Sequence, residues 1–301
     1  MSGRIGLVLS GGGAKGAYEV GVYKALSEMG VLPYIDTIAG TSVGALNATL
    51  LESRGAEYAQ EVWNNLKITD LLNPDRHRIS KALLSYSNNS SNLPSLTYSN
   101  PIDRAVSHGV NFFRNITRSD GLFEFIREGL PFNQEKIAEL IDNHVDFGRI
   151  RRKLYVMCTD CIAKPKPFLL NQHFPPTQKK IILASSTLPV VYTGTDGIEI
   201  NGINYFDGGV AGDVSNTPVS CLYDSGCRNI IVVHLKRTYD MSNQEYMNDA
   251  NIINIFPSRS LGTFLTGTLN LNPLKVQSDM ELGYRDTADY RDSIARMIYN
   301  L

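Results

Sequence analysis

Hydrophobic positions in the first fifty residues follow two alternating periodicities. Two short, continuous apolar runs, at residues 4–9 and 34–39, have the length and composition of buried strands. Each run precedes a segment whose apolar residues recur at helical spacing, residues 17–29 and 43–51, and Gly30 stands where a glycine ends a helix. Strand, helix, strand and helix with short connections predict a parallel sheet covered by helices, which is the α/β class.

The same alternation returns in the second half of the chain after a polar interruption. Residues 85–100 are rich in Ser and Asn and predict a long surface loop. The later patterns predict helices over 121–129, 133–143, 177–184 and 219–226, strands over 153–159, 203–206 and 229–235, and a C-terminal helical face of Tyr290, Ile294, Met297 and Ile298. Because neither a repeat nor a linker interrupts this order, we expect one domain over residues 1–301, with a variable loop or lid region at about 70–119.

Composition excludes several classes of protein. The 301 residues carry a formal net charge of −1, so no concentrated basic surface is available for a nucleic-acid polymer. The N-terminus has no signal-peptide core, and no run approaches the ~20 apolar residues of a membrane span, which predicts a cytoplasmic protein. Cys158 and Cys161 have CxxC spacing, but the other two cysteines do not complete a zinc site, so we expect structural thiols and no metal.

A glycine-flanked serine lies between the second predicted strand and the following helix. The segment Gly40-Thr41-Ser42-Val43-Gly44 has the GxSxG pattern, and its position is that of a nucleophile elbow. Gly40 and Gly44 allow a sharp turn and close packing, and the positive end of the helix favours an oxyanion that develops beside Ser42. Serine is also a good helix cap. The pentapeptide alone therefore leaves catalysis and capping open.

A second glycine-rich segment follows the first predicted strand. It reads Gly11-Gly12-Gly13-Ala14-Lys15-Gly16. Because loops after neighbouring parallel strands lie side by side, we expect backbone N–H groups of Gly11, Gly12 and Gly13 to face an oxyanion beside Ser42. Lys15 would add a positive charge or hold the loop in shape.

The same glycines also fit a dinucleotide-binding fingerprint. Gly11, Gly13 and Gly16 satisfy GxGxxG, and Asp36 stands twenty residues beyond Gly16. However, Asp36 precedes the core of the second strand instead of ending it, and a nucleotide site leaves Ser42 unexplained. The segment also lacks the GK[ST] of a P-loop. The hydrolase interpretation accounts for more of the sequence.

A nucleophilic serine needs a base, and two residues compete for this role. His234 has the chain order of a triad histidine, but it lies within an apolar strand, where histidines are usually structural. Asp207 ends a predicted strand and precedes Gly208-Gly209, so it would lie at the carboxyl edge of the sheet, where ligand sites gather. Its carboxylate would accept the serine proton if burial keeps its pKa high enough. An ordinary Asp-Gly turn remains the alternative for Asp207.

These three segments, in this order, resemble the patatin-like phospholipases. The matching motifs are the glycine-rich loop 11–16, the pentapeptide 40–44 and Asp207-Gly208-Gly209. Weaker similarity extends to residues 184–189 and 282–286, and the match is weakest between residues 70 and 119. The family often has Arg where Lys15 stands, and lysine lacks the planar fork of arginine, so the contribution of Lys15 to loop geometry differs.

The resemblance implies a three-layer α/β/α fold with a mostly parallel sheet and a Ser-Asp dyad in place of a triad. Ser42 would attack the acyl ester, Asp207 would be general base and then general acid, and the loop of Gly11, Gly12 and Gly13 would form the oxyanion hole. Lys15, Gly16, Gly40, Gly44, Gly208 and Gly209 would support this site. The resemblance also implies phospholipase A-type hydrolysis of lipid carboxyl esters without a metal or cofactor, and peripheral contact with a membrane.

Two alternatives differ from this hypothesis in regulation and in chemistry. The same hydrolase would be a regulated bacterial effector or antiphage subunit if a protein or a signal nucleotide activates it, and the region 70–119 is the part of the chain that would act as a lid. A lipid-binding pseudoenzyme is the non-catalytic alternative. Phe112 and Phe113 are candidates for membrane insertion, although burial in the core is the commoner place for phenylalanine.

Overall fold

The structure is a computed structural model that describes residues 4–67, 70–71, 134–188, 197–239, 248–268 and 270–301. The predicted loop 85–100, the predicted helix 121–129, Phe112, Phe113 and nearly all of the proposed lid region lie outside these ranges. None of the helices within them combines the length and apolar composition of a bilayer-spanning helix.

One eight-stranded mixed sheet organises the described residues. Its strands are β1 (Ile5–Leu9), β2 (Ile35–Thr41), β3 (Lys153–Asp160), β4 (Pro165–Leu169), β5 (Ile198–Ile200), β6 (Ile203–Asp207), β7 (Asn229–Val233) and β8 (Asn251–Ile255). The strand order is β5-β6-β3-β2-β1-β7-β8, with β4 also paired to β3. Strands β3, β2, β1, β7 and β8 are mutually parallel, while β4, β5 and β6 add antiparallel pairs.

Helices pack on both faces of this sheet. They are α1 (Ala17–Glu28), α2 (Val43–Arg54), α3 (Ala56–Asn65), α4 (Gln134–His144), α5 (Pro175–Ser185), α6 (Asp213–Asn216), α7 (Val219–Asp224), α8 (Pro273–Ala288) and α9 (Arg291–Tyr299). Short 3-10 turns at Gly13–Gly16 and Gly208–Ala211 follow β1 and β6. The fold is the expected α/β/α arrangement around a mostly parallel sheet.

Alternation along the central strands divides the core into two layers. On β1, Leu7 and Leu9 join the large cluster that contains the apolar sides of α1, α2 and α8, whereas Val8 faces a smaller cluster with α7. On β7, Ile231 and Val233 face the first layer, while alternate residues face the second. Both faces of these strands are therefore covered, which explains why their sequences are continuously apolar.

The two strands that carry the predicted dyad meet end to end. Strand β2 pairs with β3 up to Thr41, opposite Met157, and antiparallel β6 pairs with β3 from Asp207, opposite Cys158. Strand β4 pairs with residues 155–159 of β3, a stretch that overlaps the residues paired with β2 and those paired with β6. Because β4 takes one edge of β3 there, β2 and β6 both lie along the other edge. Their carboxyl ends consequently stop at adjacent positions. This places the residue after β2 beside the last residue of β6.

Candidate active site

Ser42 occupies a strained turn between β2 and α2. Its backbone has φ 55° and ψ −126°, a left-handed conformation that a non-glycine residue adopts only when its surroundings hold it there. The two flanking glycines are required by close packing, because a Cβ on Gly40 would lie 2.5 Å from the carbonyl oxygen of Gly44, and one on Gly44 would overlap that of Leu9. The Ser42 side chain makes no capping hydrogen bond, so the structure does not show the helix-cap alternative.

The turn is held from two sides by hydroxyl groups. The N–H of Ser42 donates to Ser185 Oγ (2.9 Å), and that hydroxyl donates to the carbonyl of Met157 (2.7 Å). Thr41 Oγ1 donates to the carbonyl of Ser215 (2.7 Å). These buried bonds fix the strained backbone that directs the Ser42 side chain.

Asp207 is buried at the end of β6, with only 2% of its surface exposed. Its backbone N–H donates to the carbonyl of Thr187 (2.9 Å), and its Oδ1 accepts the N–H of Gly209 (2.7 Å). Its Oδ2 is buried and has no hydrogen-bond partner among the described residues. Burial raises the pKa of Asp207 to about 7, although the nearby Ser42 hydroxyl and the Gly209 N–H oppose this shift.

The glycine loop, residues 11–16, lies beside Ser42, since a Cβ on Gly11 would be 3.3 Å from Ser42 Cβ. The N–H of Gly11 donates to the carbonyl of Asn216 (2.9 Å) and is therefore already used. The expectation that all three glycines supply donors needs this correction. The N–H groups of Gly12 and Gly13 have no hydrogen-bond acceptor within the described ranges and are the candidate oxyanion donors.

The supporting glycines are also tightly enclosed. A Cβ on Gly16 would lie 2.5 Å from the Val43 side chain, one on Gly208 would lie 2.5 Å from the Met157 carbonyl, and one on Gly209 would lie 2.7 Å from Asn216 Oδ1. The Lys15 side chain packs against Gly267.

The geometry supports neither a dinucleotide site that uses Asp36 nor His234 as the base. Asp36 lies at the amino end of β2, where its carboxylate is 3.3 Å from Arg4 Nη1, at the opposite end of the strand from Ser42. His234 follows β7, stacks on Phe256 with ring centroids 4.2 Å apart, and has Nε2 2.8 Å from Asn254 Oδ1. Burial lowers the pKa of His234 to about 4, so it is a neutral core histidine.

An apolar cavity opens at Ser42 and follows helix α2. It encloses about 1110 Å³, part of which is open to solvent. The walls are mostly aliphatic and come from α2, α3, α4 and the loops beside the site, including Leu46, Leu50, Trp63, Ile137, Ile141 and Leu271. His144 lines the cavity near the C-terminal end of α2, where its carbonyl accepts from Arg54 Nε (3.4 Å). Ser42 is separated from Arg54 by the whole of α2, about 18 Å at 1.5 Å per residue, and the His144 ring is engaged elsewhere, with Nδ1 3.0 Å from Tyr58 Oη.

Three site residues were missed by the sequence analysis. Ser185 supports the elbow, while Asn216 and Asn47 contact the glycine loop. Ser185 lies in the segment 184–189, whose resemblance was noted without a role. The sequence contains no local signal for the asparagines, because their contacts join residues that are distant along the chain.

Comparison with known proteins places these motifs in a family. The family model described as patatin-like phospholipase matches residues 7–221. The uncharacterized protein YjjU of Escherichia coli (strain K12) is 25% identical over 233 residues, which are 77% of this chain and 52% of that protein. The lysophospholipase nte1 of Aspergillus terreus is 59% identical over 46 residues, 15% of this chain and 3% of its own length. This chain thus spans about half of the first relative and a small part of the second.

A solved structure matches the fold over nearly all of the chain. VipD from Legionella pneumophila aligns with a TM-score of 0.52 and 15% identity, covering 97% of this chain and 67% of VipD. This likeness concerns the fold alone. The family model covers well over half of the chain and includes the glycine loop, Ser42 and Asp207, so this protein belongs to the patatin-like phospholipase family.

Proposed function

We propose that this protein is a serine acyl hydrolase that cleaves the carboxyl esters of phospholipids or related lipids, as a phospholipase A does. The observation that carries the proposal is the end-to-end meeting of β2 and β6. It brings the residue after β2 beside a buried carboxylate whose Oδ2 has no hydrogen-bond partner among the described residues, and the Ser42 hydroxyl opposes the burial-driven rise in the pKa of Asp207. Membership of the patatin-like phospholipase family supports the same chemistry.

In the proposed reaction, Ser42 Oγ attacks the ester carbonyl and transfers its proton to Asp207 Oδ2. A carboxyl group with a pKa of about 7 is suited to this transfer, because it is ionised often enough to act as a base and still returns the proton readily. The oxyanion would accept hydrogen bonds from the N–H groups of Gly12 and Gly13, at the positive end of α2.

The acyl-enzyme then forms when Asp207 gives the proton to the leaving alcohol. In the second half of the reaction, Asp207 accepts a proton from water, the resulting hydroxide attacks the Ser42 ester, and the fatty acid leaves as Ser42 regains a proton. This cycle needs neither histidine nor metal. Asp207 would be the single base in both acylation and deacylation, which its buried environment allows.

The cavity along α2 favours a lipid acyl group over a polar one. Its wall between Val43 and Leu50 extends for about 10 Å at 1.5 Å per residue and begins at Ser42. An acyl chain placed there would exchange water for aliphatic contacts, which is favourable at about 25 cal/mol per Å² of apolar surface. Because such substrates reside in bilayers, the proposed activity implies peripheral membrane contact.

The experiment compares Ser42→Ala and Asp207→Ala with Ser53→Ala, which alters a buried serine at the other end of the same helix. Release of fatty acid from phosphatidylcholine vesicles is measured, together with labelling by a fluorophosphonate. We expect both site variants to lose activity by about three orders of magnitude or more, while Ser53→Ala retains it and labels. Hydrolysis by Ser42→Ala at the wild-type rate would overturn the proposal.

A further inference from the structure

The glycine loop is held at both of its ends by asparagine side chains. At its start, Asn216 Nδ2 donates to the carbonyl of Gly11 (3.1 Å), while the Asn216 carbonyl accepts the N–H of Gly11 (2.9 Å). At its end, Asn47 Nδ2 donates to the carbonyl of Gly16 (2.9 Å). The two candidate oxyanion donors, Gly12 and Gly13, lie between these anchors.

Asn216 also contacts the turn that follows Asp207. Its Oδ1 lies so close to the loop that a Cβ on Gly11 would overlap it, and a Cβ on Gly209 would be 2.7 Å from the same atom. Gly209 is the residue whose N–H binds Asp207 Oδ1. One side chain therefore contacts both the oxyanion loop and the turn that carries the base.

Asn47 connects the other end of the loop to the wall of the cavity. It is 1% exposed, and its Nδ2 also donates to Glu19 Oε2 (2.8 Å), while its Oδ1 accepts from Trp63 Nε1 (2.9 Å). Trp63 lines the cavity, and Glu19 is fully buried on α1. Every hydrogen-bonding atom of the Asn47 side chain is thus used to join the loop, α1 and α3.

We infer that Asn216 and Asn47 are positioning residues that fix the glycine loop in the geometry needed for the oxyanion, an inference that rests on the proposed hydrolysis at Ser42. Three consecutive glycines have more backbone freedom than any other three residues. Their N–H groups therefore keep a fixed orientation only if the flanking peptides are anchored. Donors that are already oriented stabilise the transition state without further reorganisation. Neither asparagine touches the reacting atoms in this scheme.

The test uses Asn216→Ala and Asn47→Ala, with Asn171→Ala as the matched control. Asn171 binds the backbone in the same way, since its Oδ1 accepts the N–H of Leu154 (2.9 Å) and its Nδ2 donates to the carbonyl of Arg152 (3.0 Å). It does so at the amino end of β3, away from Ser42. All three variants lose backbone anchors, but only two of them lose anchors of the glycine loop.

Steady-state hydrolysis of a soluble short-chain ester is measured together with inhibition by a trifluoromethyl ketone, whose adduct with Ser42 carries an oxyanion. For Asn216→Ala and Asn47→Ala we expect kcat to fall by about tenfold to a hundredfold with little change in KM, and the ketone to bind more weakly by a similar factor. Asn171→Ala should keep the wild-type kcat even where its thermal stability falls.

Two results would overturn the inference. One is a wild-type kcat in the loop variants, and the other is a loss of kcat in Asn171→Ala that equals theirs. If Asn216→Ala does not fold, Asn47→Ala decides the question from the other end of the loop. Activity in Ser42→Ala would instead refute the proposed hydrolysis, so the two failures are distinguishable.

Discussion

Ser42 and Asp207 each have a local conformation or environment that is energetically unfavourable for the fold. Ser42 has a positive φ that a non-glycine residue rarely adopts, and Asp207 keeps a carboxyl oxygen buried without a partner among the described residues. Either feature destabilises a fold, and a structural role for these residues requires neither. The proposed roles, a nucleophile at Ser42 and a poorly solvated base at Asp207, would account for both features.

The pH dependence of hydrolysis should report the ionisation of Asp207. A base must be deprotonated, and burial raises the pKa of this one to about 7, so kcat/KM should be low in acid, rise through pH 7 and level off above it. The sign follows from the role, because the protonated carboxyl below pH 7 cannot accept the Ser42 proton. Fatty-acid release from an uncharged ester, measured between pH 3 and 9, tests this.

Thermal unfolding at each pH is the control for this profile, since a loss of folded protein would imitate a loss of activity. A midpoint near the ordinary aspartate value of 3.8 would show that the Asp207 carboxylate is solvated in solution. A profile without an ionisation would remove Asp207 from the role of base.

At the scale of elements, helix α2 would link the proposed chemistry to the choice of substrate. Its first turn follows Ser42, and Val43, Leu46 and Leu50 line the cavity along one face at helical spacing. Replacing Leu50 with tryptophan should block the cavity about 12 Å from Ser42, at 1.5 Å per residue. Esters with long acyl chains should then lose kcat/KM by about tenfold or more, whereas those with short chains should retain it.

Glu61→Trp is the matched control for that substitution, because Glu61 is exposed on α3 and does not line the cavity. A series of esters that differ only in acyl length gives the profile for each variant. If Leu50→Trp and Glu61→Trp have the same chain-length profile as the unaltered protein, the acyl chain does not lie along α2.

The elements that the sequence predicts correctly are those with uninterrupted patterns. Strands β1, β2, β3 and β7 and helices α1 and α2 are continuous or strongly periodic and lie close to their predicted bounds. Strand β4 contains two prolines and β8 contains two asparagines, so neither resembles a strand locally. Their pairing partners stabilise them, and those partners are distant in sequence.

The sequence predicts which residues form the candidate site, but it does not predict how they are arranged. Motifs single out Ser42 and Asp207 as candidates, but no pattern reveals that β6 is antiparallel and approaches β2 end to end along one edge of β3. The N–H of Gly11 donates to the carbonyl of Asn216, which lies 205 positions away along the chain. Gly11 is therefore not available as one of the three expected oxyanion donors. Local sequence determines which groups are present, while long-range packing determines which of them are available.

At the scale of the whole molecule, helix α8 packs on the helix that follows the glycine loop, and it lies outside the region matched by the family model. Helix α1 begins directly after the glycine loop and packs closely against α8, with Gly21 and Gly283 at the contact. Within the same contact, Tyr18 Oη donates to Asp286 Oδ2 (3.1 Å). The segment 282–286, which resembles the family's C-terminal segment, therefore supports the helix that follows the glycine loop.

Gly283→Ala should destabilise the protein more than the small size of the added methyl group suggests. The added Cβ would overlap the carbonyl oxygen of Tyr18, and backbone atoms on two packed helices cannot move aside as a flexible side chain can. We expect a loss of about 1–3 kcal/mol in the free energy of unfolding, measured by urea denaturation. Glu281→Ala, on the exposed face of the same helix, should change it little. Equal unfolding midpoints for the two variants would mean that α1 and α8 do not pack this closely, and the glycine loop would then depend on its asparagine anchors alone.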